Sequence, residues 1–423
     1  MENNEAIDKR QDGVTNAMTG KGIRGRDKTA SNDFTGEPIL NDDTVEDLWR
    51  SEGLASTIIE RPADDMTRKG FKIVGDSDRV NDINDFLKEK GFHSILNQAL
   101  KQNRAYGGSL ILVGAKDGKK LDTEINWKKV RDIAFFKAYG RRFVQPKDFD
   151  MDIESGNYSY PRMYSVSREG AFHVHNSRVL RFDGRITDYN SFVSNNYWGL
   201  SVMQDIKSHL LNLLSGLKDG EQVISEMSVG VLKMKNLFQL ASTKEGEETI
   251  RNRLDLLDLS KNNQNTVAVD TEEEFTREST TISGVEKVIE MLMYAISGAT
   301  LLPATVLFGR SPAGQNSTGE SDLTLYYDRI ESEQQNVLKP KILQIAKNVA
   351  QTQKLNINPD DIKDVEFEPL KTMTSKERSE ILNTFADAFT KLIKSEVLTP
   401  EEVTANFSKL TGFELNYEYQ NNE

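Results

Sequence analysis

The sequence predicts an α+β fold. Two observations carry this. Apolar residues recur at helical spacing in several long segments, and one block, residues 125–190, shows short apolar runs closed by turn signals instead. A third observation bounds the size. With 423 residues, 37% of them hydrophobic and 28% charged, the chain can bury a core and build two or three domains.

The elements follow in order. Residues 1–40 are rich in Asn, Asp, Gly, Lys and Thr, with isolated apolar residues such as Val14 and Phe34, and predict a flexible N-terminal arm without its own core. Structure is expected from Asn41. Val45, Leu48, Trp49, Leu54, Ile58 and Ile59 fit one helix face, capped by Asp43 or Thr44. Two further helical stretches carry Val80, Ile83, Phe86 and Leu87, then Phe92, Ile95, Leu96, Ala99 and Leu100. Gly107-Gly108 ends the second as a helix cap, and Ser109 to Val113 reads as a short apolar strand. Val130–Ala138, Tyr158–Val166 and Val179–Phe182 read as strands. A long helical pattern starts after Trp198-Gly199 and runs to Ile224. A strand at 229–234, a helix at 250–259, a second strand at 266–269 and an acidic stretch at 270–274 come next. A helix from Val285 to Ser297 then meets Gly298. After a segment rich in Pro, Gly, Ser and Asn, Ser317 and Glu320 fit a capping box. The helix they open carries Leu323, Tyr326, Ile330 and Leu338, and Pro340 within it predicts a kink. Residues 364–370 look extended, and 375–410 form helical pieces broken at Thr399-Pro400.

Composition excludes several classes. There is no cysteine, which removes disulfides, thiol nucleophiles and cysteine metal sites and fits a reducing compartment. No window approaches 18 uncharged apolar residues, and Met1 to Arg10 is polar, so neither a membrane span nor a secretory signal is expected. The net charge of −12 disfavours general duplex binding, which depends on Lys and Arg neutralising phosphate.

Catalytic signals are sparse. His173 and His175 would share a strand face, but no third ligand is near in sequence, so no metal site is expected. Gly107-Gly108-Ser109 lacks the spacing of a phosphate loop and leads into a strand. The run from Phe308 to Gly319 opens a helix as an anion site would, yet it lacks the Lys and the preceding strand; it reads as a mobile loop. Carboxylates lie on polar helix faces. Neither a catalytic constellation nor a cofactor site is expected, which shifts weight from enzyme to assembly protein.

Five motifs resemble the portal proteins of tailed bacteriophages over roughly residues 42–405. They are Ile58-Ile-Glu-Arg-Pro-Ala-Asp-Asp-Met-Thr-Arg-Lys-Gly70, Arg104-Ala-Tyr-Gly-Gly-Ser109, His175-Asn-Ser-Arg-Val-Leu-Arg-Phe182, Tyr197-Trp-Gly-Leu-Ser201, and Leu302-Pro-Ala-Thr-Val-Leu-Phe-Gly309 continuing to Gly319-Glu-Ser-Asp322. The branch resembled includes members named for an anti-CBASS, cyclic-oligonucleotide phosphodiesterase. That activity needs two His-x-Thr/Ser motifs. Here only His175-Asn-Ser177 fits, inside a portal motif, so no enzyme activity is expected.

The resemblance implies a portal fold laid out as follows: arm 1–40, wing 41–199, stem helix 200–227, clip 228–284, stem helix 285–300, tunnel-loop region 301–319, kinked tunnel helix 320–350, and wing again 351–423 with a small or absent crown. It implies a ring, usually of twelve subunits, at the capsid vertex of a virion assembled in the host cytoplasm. Double-stranded DNA would pass through it during packaging and ejection. Its partners would be the large terminase subunit, a head–tail adaptor, and the major capsid and scaffold proteins. The tunnel loop would use Gly309, Arg310, Gly314, Gln315, Asn316 and Gly319. Lys207, Lys218 and Arg310 are candidate channel-facing cations. Asp270, Glu272, Glu273 and Glu274 are candidate clip residues for a basic partner. The competing classes are a nuclease or phosphodiesterase, and another head–tail structural protein.

Overall fold

The computed structural model describes residues 38–168, 170–226, 230–234, 237–264, 274–277, 284–309, 319–371, 375–395 and 403. Residues 1–37, most of the expected arm, therefore lie outside the described residues, as do 266–269 and 404–410. The last three arm residues are tied down. Gln204 Oε1 accepts from Leu40 N at 2.8 Å, its Nε2 donates to the Pro38 carbonyl, and Leu40 is buried.

The first helical pattern forms two helices rather than one. α1 (Asp42–Ser51) and α2 (Gly53–Thr67) meet at Glu52, whose backbone is extended and whose carboxylate accepts from Leu54 N. The cap of α1 is Asn41, not Asp43 or Thr44; its side chain accepts from Thr44 N. Capping needs a side-chain oxygen beside the first free N–H groups, and Asn41 stands one residue ahead of them. β1 (Lys72–Gly75), α3 (Val80–Glu89) and α4 (Phe92–Tyr106) follow. Gly107 caps α4 at φ 79°, as its place before Gly108 predicts.

β2 (Gly108–Ala115) lies between β3 (Ile133–Gly140) and β7 (Val179–Asp183) in an antiparallel sheet. Its unbroken apolar run has a direct cause. Ile111 and Val113 face the main core, whereas Leu110 and Leu112 face a second cluster with Tyr139, Val166, Val174 and Trp198. A strand covered on both faces has no polar side to alternate with. β4 (Val144–Phe149), β5 (Pro161–Val166) and β6 (Phe172–His175) form a second sheet behind that cluster. α5 (Tyr189–Ser194) closes this half.

α6 (Lys207–Glu226) begins seven residues later than the expected start of the first stem helix at 200. β8 (Gly230–Lys233), α7 (Leu237–Leu240), α8 (Lys244–Gln264) and β9 (Glu274–Arg277) come next. β9 is the described antiparallel partner of β8, so a strand lies where the acidic stretch was expected to end. α9 (Val285–Thr300) runs through Gly298, ending not at a glycine but at Leu301, φ 55°. α10 (Ala304–Phe308) leads to Gly309. α11 (Glu320–Glu333) and α12 (Lys339–Ala350) are joined by a π-helical turn at Gln334–Leu338. β10 (Ile362–Glu366) pairs with β1, and α13 (Ser375–Lys394) is the last described helix. The core joins α1–α4, one face of β2 and β3, the start of α6, and α9 through α12.

Candidate functional site

The two helices expected to form the stem approach each other closely. α6 and α9 pack together, and Gly216 and Gly220 lie one helical turn apart on α6. A Cβ on Gly216 would stand 2.7 Å from Leu292 Cδ1, and one on Gly220 would stand 3.3 Å from Val285 Cγ1. Small residues at i and i+4 let two helix backbones near each other. Apolar side chains remain exposed on the stem, among them Leu217, Val288 and Met291. Of the candidate cations, Lys218 is exposed on α6. Lys207 is half-buried and lines an open groove of about 470 Å³ with Ile39, Asn41 and Leu211.

The helix expected to line the tunnel is continuous but changes its winding. A π turn at Gln334–Leu338 ends two residues before Pro340, where the kink is expected and where the chain has no N–H to give. Its cap is Gly319, in the left-handed conformation at φ 60°, with no side-chain hydrogen bond. The expected capping box is thereby corrected: Glu320 is the first helical residue and pairs with Lys371 at 3.1 Å, while Ser317 lies outside the described residues. Gly309 and Gly319 are both left-handed, which L side chains resist. They bracket the expected tunnel loop. Arg310, Gly314, Gln315 and Asn316 lie outside the described residues, as do Asp270, Glu272 and Glu273; Glu274 opens β9 opposite Lys233.

α11 and the π turn, the expected tunnel helix, are fastened to α2 by groups that sequence reasoning did not single out. Asp65, 2% exposed, accepts from Arg61 Nε at 2.9 Å and Tyr326 Oη at 2.8 Å, with Arg68 at 3.5 Å. Burial, then the Asp65 charge and hydrogen bond, push the Tyr326 hydroxyl well above its ordinary pKa and keep it a donor. Gln334, in the π turn, donates to the Met66 carbonyl at 2.8 Å. Arg68 donates to the Leu370 carbonyl and lies over the Tyr327 ring. At the stem end, Arg329 reaches the Thr300 and Leu301 carbonyls at 3.4 and 3.5 Å and pairs with Glu333.

A half-buried arginine completes this node. Arg104 donates Nη2–H to the Ile58 carbonyl and Nε–H to that of Ile59. Burial pushes its pKa down to about 10. The other family-like motifs converge on a glycine crossing beside it. A Cβ on Gly107 would sit 2.3 Å from the Gly199 carbonyl oxygen. One on Gly108 would sit 2.3 Å from the Trp198 ring, and one on Gly199 would sit 2.4 Å from the Gly184 carbonyl carbon. Trp198 is buried beneath Arg181, whose guanidinium lies 4.0 Å from the ring centroid. These motifs hold backbones together.

Three of the four histidines are placed by local contacts or exposure. His173 is exposed on β6, and His175 Nδ1 meets Ser177 Oγ at 2.8 Å. His93 stacks on Phe71. Among the described residues no group of three His, Asp or Glu side chains could hold a metal ion, and no helix is long and apolar enough to cross a membrane.

Two packed helices, α6 and α9, a long helix fastened to α2, and small antiparallel sheets beside them make up the described fold. Residues 43–391 match the phage portal protein family, and the chain belongs to it. Curated relatives include an anti-CBASS protein Acb1 of a Caulobacter species, 27% identical over 391 residues, which cover 89% of this chain and 62% of that protein. A protein of the same name from Sphingomonas paeninsulae is 25% identical and covered over 55% of its length, so the chain spans little more than half of these two relatives. An uncharacterized Haemophilus influenzae protein is 24% identical, with 86% of its length covered. Among solved structures, a chain from the virion of a native gene transfer agent particle matches 91% of this chain and 97% of its own length, with TM-score 0.51 and 11% identity. A chain from the neck of the empty particle matches with TM-score 0.53 and 12% identity. These likenesses show that the fold is that of the particle chains.

Proposed function

We propose that the chain is the subunit of a homo-oligomeric portal ring, most simply a dodecamer, at the capsid vertex of a virion, through which double-stranded DNA is packaged and ejected. The stem carries this reading. Two helices packed at Gly216 and Gly220 are followed by α10, which ends at left-handed Gly309, and then by a helix opened by left-handed Gly319. Exposed Leu217, Val288 and Met291 are apolar surface that a neighbouring copy would cover. The similar neck chains come from particles whose necks were computed with C12 and C6 symmetry, which supports a ring here. The net charge of −12 suits a conduit, because each phosphate neutralised would hold the DNA it has to pass.

In this reading the segment 228–284 is the clip that receives the large terminase subunit and later the head–tail adaptor. Asp270, Glu272, Glu273 and Glu274 draw a basic partner, and the wing contacts capsid and scaffold proteins during assembly in the host cytoplasm. Charge reversal at those four positions should weaken partner binding and flatten its salt dependence. The sequence resemblance leaves a second reading, phosphodiesterase activity. Against it, only His175-Asn-Ser177 among the four histidines has the His-x-Ser/Thr form.

Negative-stain images of the purified chain test the ring, with a central hole and a mass near twelve protomers expected. A monomer that hydrolyses cyclic oligonucleotides would overturn it. Replacing Gly314 with Pro should leave rings intact and reduce DNA packaging; wild-type packaging would sink the loop's role.

A further inference from the structure

Within the acidic chain, the connection between β2 and β3 carries more exposed cations than carboxylates, even counting exposed Asp122 and Glu124. Lys116, Lys119, Lys120, Lys128, Lys129 and Arg131 are all exposed on the connection between β2 and β3. That connection is anchored. The fully buried Arg178 donates Nε–H to the Thr123 carbonyl at 2.7 Å and pairs with Asp117 at 2.6 Å. Beside it lies an open groove of about 700 Å³ whose lining includes Lys128, Gln353, Asn356 and Pro359.

The connection between β4 and β5 has the complementary character. Met151 is 72% exposed and Ile153 82%, with Tyr158 and Tyr160 exposed beside them. Asp148, Asp152 and Glu154 are exposed among these apolar residues. The tip is ordered. The Asp150 carboxylate accepts from Asp152 N, Ser155 Oγ and Arg162 Nη2, and Asp150 N donates to the Tyr160 carbonyl. A loop already held in shape loses little entropy when it docks. Apolar side chains displayed this way mark a contact surface.

We propose that in the ring the acidic, apolar tip at 150–160 of one subunit seats in the basic groove beside Lys128 on the next subunit. The inference rests on the ring reading above. A cyclic ring is closed by head-to-tail contacts, in which each copy offers two different faces. The tip carries exposed Asp148, Asp152 and Glu154, the groove carries Lys128 with exposed Lys129 and Arg131 next to it in the chain, and one projects where the other is concave. Duplex DNA in the same groove would leave the exposed Met151 and Ile153 without a role.

The chain has no cysteine, so Ile153→Cys combined with Asn356→Cys introduces its only thiols. Mild oxidation of rings of this double variant should give a ladder of covalent oligomers on a non-reducing gel, and either single variant should give monomer. Rings that assemble but never form the ladder overturn the clasp and leave the ring reading standing. A wild-type chain that forms no ring overturns both. Asp152→Lys with Glu154→Lys should speed subunit dissociation by about tenfold at fixed salt. Adding Lys128→Glu and Lys129→Glu to the same chain should reverse much of that. If Lys128→Glu with Lys129→Glu abolishes duplex retention on a filter while ring dissociation stays at the wild-type rate, the groove belongs to DNA and the proposal fails.

Discussion

Arg104 donates Nη2–H to the Ile58 carbonyl at 2.8 Å, an acceptor that Pro62, four residues on, has no N–H to serve. Two of the motifs that carry the family likeness are therefore one structural device. A proline inside α2 frees a carbonyl, and an arginine from α4, whose guanidinium has no carboxylate hydrogen-bonded to it among the described residues, fills the place.

This relationship predicts a rescue. Arg104→Met should cost about 2 kcal/mol, because it leaves a buried carbonyl dry. Adding Pro62→Ala returns a helical N–H and should recover about half of the loss in denaturant melts. No recovery would mean that Arg104 acts through something other than the Ile58 carbonyl.

The glycine crossing predicts intolerance to a single methyl group. Gly108→Ala and Gly199→Ala should each destabilise by about 3 kcal/mol, since their Cβ atoms would meet the Trp198 ring and the Gly184 backbone. Gly118→Ala is the control. Its φ of 73° is strained for alanine but nothing lies within 4 Å, so about 1 kcal/mol is expected. Thermal melts that rank the three equally would refute the crossing.

In the stem, Gly216→Ala should be mild, because the contact is the movable end of Leu292. Gly216→Leu should force α6 and α9 apart and reduce ring yield in negative stain. Leu292→Ala in the same chain should restore part of it.

Leu301 holds φ 55° with its side chain 61% exposed, so little packing compensates a conformation that costs a branched residue about 1 kcal/mol. Leu301→Gly should raise the melting temperature. A drop would show that the Leu301 side chain has a partner in the assembled ring.

His93 sets a pH dependence. Burial, then nearby Lys88, push its pKa below the ordinary 6.5, with a backbone hydrogen bond to Phe71 opposing. The unfolded chain then binds the proton more readily, so stability should fall as pH drops through 6.5 and recover above it. His93→Gln should flatten that slope in melts between about pH 5 and 7. An unchanged slope would place its source elsewhere.

Much of the layout was legible before any coordinates. Ser109 to Val113 announced a short apolar strand, though not that both its faces are covered, and Gly107 announced the cap of α4, because both are local consequences of burial and backbone sterics. Glu52 was missed because a break between two helices that share an apolar face leaves the period intact. Ser317-x-x-Glu320 misled because the matching residue types do not decide where the helix begins; left-handed Gly319 does.

By itself, then, the sequence determined the order and kind of the elements, the acidic balance, and the motifs that place the chain among portal proteins. Only the tertiary structure decided what those motifs do. Arg104 and Ile58 are 46 positions apart, and Gln334 and Met66 are 268 apart. The glycines at 107, 108, 184 and 199 matter because three separate segments cross at one point. Periodicity records which side of an element is buried. It carries no record of which distant backbone lies against that side, and this is why the fastening of the tunnel helix to α2 appears only in the folded chain.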